Sequence, residues 1–188
     1  MRKLKLQVQM SIDGFISGPN GEMDWLEWNW DDALKNYVEE LTEPVDCILL
    51  GRKLAEGFIP HWKSVAADPA NPEHLAGVDF TEKHKIVFSK TLIKSEWENT
   101  VLAENDLQEE VARLKKQNGG DIIAYGGGTF VSSLIQQNLI DEYHLFVNPT
   151  AIGNGMTIFK GLEKNLQLNL VKVTTFQCGI AVMHYNAK

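Results

Sequence analysis

Between Asp121 and Val131 the chain reads Asp-Ile-Ile-Ala-Tyr-Gly-Gly-Gly-Thr-Phe-Val. The apolar run is too short for a helix and has no polar face, which predicts a strand, Asp121 to Tyr125, buried on both sides. Gly126, Gly127 and Gly128 form a turn that opens onto Thr129 to Gln137, where Phe130, Val131, Leu134 and Ile135 fall on one side of a helix. A doubly buried strand that turns directly into a helix is half of a βαβ unit. It commits the chain to helices packed on both faces of a mostly parallel sheet.

The remaining patterns agree with that architecture. Lys5 to Met10 alternates polar and apolar residues, the period of a strand with one buried face. A loop bearing Gly and Trp follows, from Asp13 to Trp30. Asp31 to Leu41 then places Leu34, Tyr37, Val38 and Leu41 at helical spacing, with Asp31 or Asp32 as cap. Pro44 ends that helix, and Val45 to Leu50 is a second apolar strand. Pro60 to Thr81, with Pro69 and Pro72, keeps no period and reads as an excursion loop. Lys85 to Phe88 is a third short strand. Asn105 to Asn118 carries Leu107, Val111 and Leu114 at i, i+4 and i+7 before Gly119, a helix with its stop signal. Strands are predicted at Glu142 to Asn148, Leu166 to Phe176 and Ile180 to Asn186, the last two as a hairpin around Gln177 to Gly179. With no repeat and no linker, residues 1–188 are expected to form one three-layer α/β domain. Its mostly parallel sheet ends in an antiparallel C-terminal hairpin, and ligands should sit at the carboxyl ends of the strands.

Composition removes several classes of function. A net charge of −7 opposes a nucleic-acid footprint, which needs a surplus of Lys and Arg on one face. No apolar run approaches the ~18 residues of a membrane span, so no membrane partner is expected. Cys47 and Cys178 lie in apolar, strand-like settings without a CxxC pair, which fits core positions in a reducing cytoplasm. The five histidines, His61, His74, His84, His144 and His184, show no HExxH or paired-ligand spacing, and no metal is expected. His144 alternates with apolar neighbours and reads as a strand residue rather than a ligand. Neither a GxSxG elbow nor a Walker lysine occurs.

Three predicted strand ends carry residues suited to phosphate. At Gly126 to Gly128 the missing Cβ atoms let the backbone approach a ligand, and the following helix start offers N–H groups with partial positive charge. A tight turn without a ligand would look the same, and Val131 occupies the place of the third glycine of GxGxxG, so the Rossmann fingerprint is not met. Leu50-Gly51-Arg52-Lys53 ends a strand in a glycine and two cations; in isolation these would be solvated loop charges. Val87-Phe88-Ser89-Lys90 repeats the geometry with a hydroxyl and an ammonium, a pair suited to a ribose phosphate. Trp25, Trp28 and Trp30 offer either a stacking platform for a heterocycle or core aromatics.

Taken together, Ser11-Ile12-Asp13-Gly14-Phe15-Ile16, Leu50-Gly51-Arg52-Lys53, Phe88-Ser89-Lys90-Thr91-Leu92 and Gly126-Gly127-Gly128 resemble, in order, the reductase domain of the riboflavin-pathway deaminase-reductase. The resemblance continues through Leu139-Ile140-Asp141-Glu142 to Pro149, Gly153, Gly155 and Phe159, nearly the whole chain. That domain is dihydrofolate-reductase-like. The resemblance implies an NADPH-dependent reductase of a 5-amino-6-(5-phosphoribosylamino)uracil type of substrate. A pterin or other small-heterocycle reductase, or a nucleotide-binding module without turnover, are the alternatives.

It also implies site residues. Gly51, Arg52 and Lys53, with Gly126 to Thr129 and Phe130, would hold the cofactor pyrophosphate, and Ser89 and Lys90 would lie by the adenosine 2′-phosphate. Ser11, Trp25 and Trp30 would line the substrate pocket. Asp13 is the first candidate acid, with Asp31 and Asp32 as alternatives near the first helix, because a partly desolvated carboxyl can donate a proton. Leu54 stands where the family commonly has Thr, which removes one hydroxyl from the phosphate side. No HxE or PCxxC element of the deaminase half occurs, so zinc deamination is not expected. Relatives of this kind are typically homodimers, and the apolar C-terminal hairpin supplies an edge for such pairing.

Overall fold

In the computed structural model, which describes residues 1–188, the strands are β1 (Leu4–Ser11), β2 (Val45–Gly51), β3 (His84–Phe88), β4 (Thr100–Leu102), β5 (Asp121–Tyr125), β6 (Glu142–Asn148), β7 (Leu168–Thr175) and β8 (Ala181–Ala187). The helices are α1 (Asp32–Thr42), α2 (Arg52–Ala67), α3 (His74–Glu82), α4 (Leu107–Lys116) and α5 (Gly128–Gln136). All eight strands join one sheet in the order β4-β3-β2-β5-β1-β6-β8-β7. Pairs from β4 through β6 are parallel; β8 runs antiparallel to both β6 and β7. The expected three-layer α/β fold with an antiparallel C-terminal hairpin is what forms.

Two buried clusters flank the sheet. One gathers Leu6, Val8, Leu49, Ile122 and Leu145 with Val111 and Leu114 of α4 and Val131 and Leu134 of α5. The other gathers Ile48, Leu50, Ile123 and Phe146 with Leu34 of α1, Ile59 of α2 and Phe80 of α3. Alternate strand residues therefore feed opposite cores, the pattern of a sheet covered on both faces.

Helix starts divide into two kinds. Asp31 caps α1, its carboxylate accepting the Leu34 amide at 2.9 Å, and Asp106 caps α4 by accepting from Glu109 at 2.9 Å. By contrast α2 and α5 begin at Gly51 and Gly127, with no side chain on their first amides. Both of these starts follow parallel strands, whereas α3, likewise without a side-chain cap, begins after α2 at Glu73.

The Pro60 to Thr81 segment is not an excursion loop. Helix α2 continues through Pro60 to Ala67, and α3 follows at His74–Glu82. An internal proline costs ~3 kcal/mol, yet Phe58, Trp62, Phe80 and Tyr125 form an interlocked aromatic group that secures both helices. Gly77 permits their close approach, since a Cβ there would lie 2.7 Å from the Ala66 amide nitrogen. Lys85, at the start of β3, is buried beneath α3 and donates to the carbonyls of Phe80, Thr81 and Lys83 at 2.7–3.0 Å. It closes the helix end, while burial pushes its pKa down to about 8. Strand β4, only three residues long, was not anticipated. Cys47 is buried and its thiol pushed up to about 11 by desolvation, whereas Cys178 is only half-buried in the hairpin turn.

Candidate active site

Strands β3, β2 and β5 are neighbours in the sheet and parallel, so their carboxyl ends emerge side by side. The turns at Ser89-Lys90, Gly51-Arg52 and Gly126-Gly128 therefore share one rim, although 75 residues of sequence separate Gly51 from Gly126. Gly51 packs on Phe130 so closely that a Cβ would sit 2.8 Å from the Phe130 Cβ. Phe88 and Phe130 meet with ring centroids 5.2 Å apart. At Gly127, φ is +102° and the nearest atom to a built Cβ is Leu54 Cβ at 3.8 Å. At Gly126 and Gly128 a Cβ would make only ordinary contacts, with Val8 Cγ2 at 3.8 Å and Ile16 Cδ1 at 3.6 Å, so neither position is sterically closed.

Two helix starts with unfilled amides thus point at one rim, and the geometry suits a pyrophosphate. Arg52 stands beside it, paired with Glu56 at 2.7 Å along α2 and about one-third exposed. Lys53 and Lys90 are exposed. Ser89 is already employed, its Oγ accepting the amides of Thr91 and Leu92 at 3.1 and 2.8 Å. Its hydroxyl shapes the turn that presents Lys90. Thr129 is exposed, and Phe130 serves as packing between the turns.

At the ends of β1 and β6 the loops are tied together. Asp13 accepts from Ser11 Oγ at 2.5 Å and from the amides of Ile152 and Gly153 at 3.2 and 2.7 Å. These donors, the Ser11 hydroxyl first, hold its carboxyl below the usual range. Asp13 is consequently an ionised anchor, unlike the desolvated acid expected from sequence. Ser17 bridges Met156, and Gly155 passes so near that a Cβ would meet the Ser17 carbonyl at 2.1 Å. This strap places Met156 and Ile16 over Gly128.

Asp31 is committed as well, to Leu34 and, through its second oxygen, to the Cys178 amide at 3.0 Å. The Leu34 amide leads in lowering its pKa. Asp32 is fully exposed and lies 4.0 Å from Lys35. Trp30 stacks on Phe146 at 6.3 Å and donates to the Glu27 carbonyl at 2.8 Å, while Trp25 donates to the Glu22 carbonyl at 3.3 Å. Trp30 belongs partly to the core, and Trp28, 66% exposed, is the open face of that loop.

Sequence reasoning missed Asn148. Fully buried at the end of β6, it donates to Gln9 Oε1 at 2.9 Å and accepts the Glu27 amide at 3.0 Å. It fixes the Trp loop to the sheet. An Asn-Pro pair directly after an apolar strand was the available signal. A polar depression of about 230 Å³ between Arg2, Asp46, His84 and Arg113 lies at the opposite, amino end of the strands. Its Arg2 is spent on Asp46 and on the Gly120 carbonyl, so it is a structural joint.

The histidines do not all stay apart. His144 of β6 faces His184 of β8 in register, rings stacked at 4.2 Å, with Glu142 beside both. The absence of ligand spacing along the sequence did not forbid this, because antiparallel pairing supplies the proximity.

Fold and rim define a three-layer α/β domain with its candidate site at the carboxyl ends of β2, β3 and β5. Residues 2–182 match the RibD C-terminal domain, and the chain belongs to that family. It is 34% identical to the uncharacterized protein YyaP of Bacillus subtilis, over 98% of this chain and 96% of that protein. A putative riboflavin biosynthesis protein from Shewanella sp. PV-4 shares the fold with a TM-score of 0.72 at 22% identity, covering 100% of this chain and 99% of that one. The diaminohydroxyphosphoribosylaminopyrimidine deaminase/5-amino-6-(5-phosphoribosylamino)uracil reductase of Thermotoga maritima aligns with a TM-score of 0.68 at 18% identity; this chain covers 57% of its length.

Proposed function

We propose that this protein is a stand-alone NADPH-dependent reductase of a small heterocycle, with a ribosylaminopyrimidine phosphate as the leading substrate class. The observation that carries the reading is the pair of glycine-started, uncapped helices, α2 and α5, brought together at one rim. The uncapped first turns at Gly51 and Gly127 would receive a pyrophosphate, with Arg52 and Lys53 at its side. Lys90, held out by the Ser89 turn, would meet a 2′-phosphate. The nicotinamide, when bound, supplies the hydride.

The chain's own residues would position and enclose. Asp13 and Ser11 lock the 150–157 strap against β1, which sets Met156 and Thr157 against Gly128. Asn148 holds the Trp loop, whose Trp28 offers a stacking face. Donors occupy the carboxylates of both Asp13 and Asp31, so neither is poised to deliver the proton that accompanies the hydride.

Titration of the Trp fluorescence with NADPH and NADH tests the cofactor assignment. NADPH is expected to bind the more tightly, and Lys90→Ala to erase the difference. Equal affinities in the unmodified protein would remove the 2′-phosphate assignment. NADPH oxidation with a ribosylaminopyrimidine phosphate beside dihydropterin substrates then separates the two substrate classes.

A further inference from the structure

We propose that Glu142, His144 and His184 form a binding site for a divalent late transition metal, zinc foremost, that clamps the C-terminal hairpin to the parallel sheet. The three residues lie where β6 begins and β8 ends, at the far end of the strands from the glycine turns. Their potential ligand atoms all fall within 4.8 Å of one another. Glu142 Oε2 is 3.7 Å from His144 Nε2 and 3.9 Å from His184 Nε2. Ligands at 2.0–2.2 Å around a tetrahedral zinc are separated by roughly 3.4 Å, so closing the site requires the two stacked imidazoles, their centroids 4.2 Å apart, to rotate until both Nε2 atoms converge beside Glu142.

The unsatisfied atoms point the same way. Buried polar groups are ordinarily hydrogen-bonded, yet the Nε2 atoms of His144 and His184 are both buried without a partner. His144 as a whole is only 5% exposed. Gln7 of β1 pairs in register with His144, and its Oε1 is buried and unpartnered too. Gln7, His144 and His184 therefore occupy one row across β1, β6 and β8, each with an orphaned side-chain atom.

The surroundings suit a metal ligand. The ring nitrogen of His144 remote from the cluster, Nδ1, is 2.7 Å from the Tyr37 hydroxyl. With Nδ1–H donating to that oxygen, the lone pair of Nε2 faces Glu142, the arrangement by which outer contacts orient a ligating imidazole. Lys3 holds the other carboxylate oxygen, Oε1, at 2.6 Å, and its side chain is 57% exposed, so it can withdraw to solvent. His184, with its side chain 22% exposed, gives the ion a way in. Two imidazoles and one carboxylate select a borderline metal over calcium or magnesium, which prefer all-oxygen shells.

The test uses the full-length protein stripped with chelator and then titrated with Zn²⁺ and with Co²⁺. One Zn²⁺ per chain is expected, together with a rise in Tm and visible Co²⁺ absorption of a low-symmetry nitrogen and oxygen site. His184→Gln is expected to lower zinc affinity at least tenfold and abolish the Co²⁺ bands. Tyr37→Phe, a positioning change, should weaken zinc roughly tenfold without removing the bands. Replacing the exposed His61 by Ala should change nothing. Absence of both Tm shift and Co²⁺ bands in the unmodified protein would overturn the proposal, as would zinc binding that survives undiminished in folded His184→Gln. If that variant fails to fold, the Co²⁺ spectrum of the unmodified protein decides alone.

Discussion

Gly51 at the end of β2 rests against Phe130 in the first turn of α5, with no room for a side chain between them. This contact joins two glycine turns that are far apart in sequence and sets the spacing of the α2 and α5 starts. Gly51→Ala would drive its methyl to 2.8 Å from the Phe130 Cβ, a distance real Cβ atoms do not hold. Overpacking of this kind costs about 1–3 kcal/mol. The expected outcome is a lowered Tm together with weaker NADPH binding, read by thermal melting and Trp fluorescence. A variant with unchanged melting would show that the contact does not set the rim.

Gly126→Ala separates ligand room from fold stability. The added Cβ would lie 3.8 Å from Val8 Cγ2, an ordinary contact, and the residue does not require positive φ. Melting should therefore stay near that of the unmodified protein, while NADPH affinity falls about tenfold, or ~1.4 kcal/mol. Gly127→Val is a poorer probe because φ of +102° strains any L side chain irrespective of ligand. Full NADPH affinity in Gly126→Ala would make this turn purely structural.

Glu110 of α4 is 2% exposed and accepts from Arg113 at 2.5 Å and from Asn105 at 2.8 Å. The Arg113 hydrogen bond, first among the causes, holds its carboxyl below the ordinary 4.5. Because the folded value is the lower one, this stabilisation is complete above about pH 4.5 and is lost as pH falls through the folded value. Glu110→Gln should lower stability at neutral pH and flatten its decline below pH 4.5. Urea unfolding across an acid pH series measures both. Parallel pH curves for the two proteins would refute the linkage.

Leu170, Val171 and Val173 on edge strand β7 are 58%, 51% and 49% exposed. The Pro60 to Thr81 region folds onto the sheet beside β2 and β3 and leaves this edge uncovered. A homodimer paired through β7 would bury these residues twice over by two-fold symmetry. Light scattering should give about twice the 21.1 kDa chain mass, and Leu170→Lys with Val173→Lys should restore the single mass. A monomer that persists on concentration would rule out the pairing.

Much of this molecule was determined locally. The short apolar runs at Val45 to Leu50 and Asp121 to Tyr125 have no polar face to show to water, and so could only become interior strands of a covered sheet. The cap at Asp31 and the glycine turn before α5 are likewise legible, because they act within three or four residues of themselves. What crosses between elements was left to the tertiary structure. Helix α2 survives Pro60 because Phe58 and Trp62 find Phe80 and Tyr125, partners that no sequence window around the proline contains. Asp13 becomes the anchor of the 150–157 strap because the Gly153 amide, 140 positions away, arrives beside it. His144 and His184 carry no joint signal along the chain and meet only because antiparallel pairing sets them opposite each other. Local propensity reads backbone preference over a few residues, whereas burial, hydrogen-bond partners and charge environment depend on which distant strands the sheet makes neighbours.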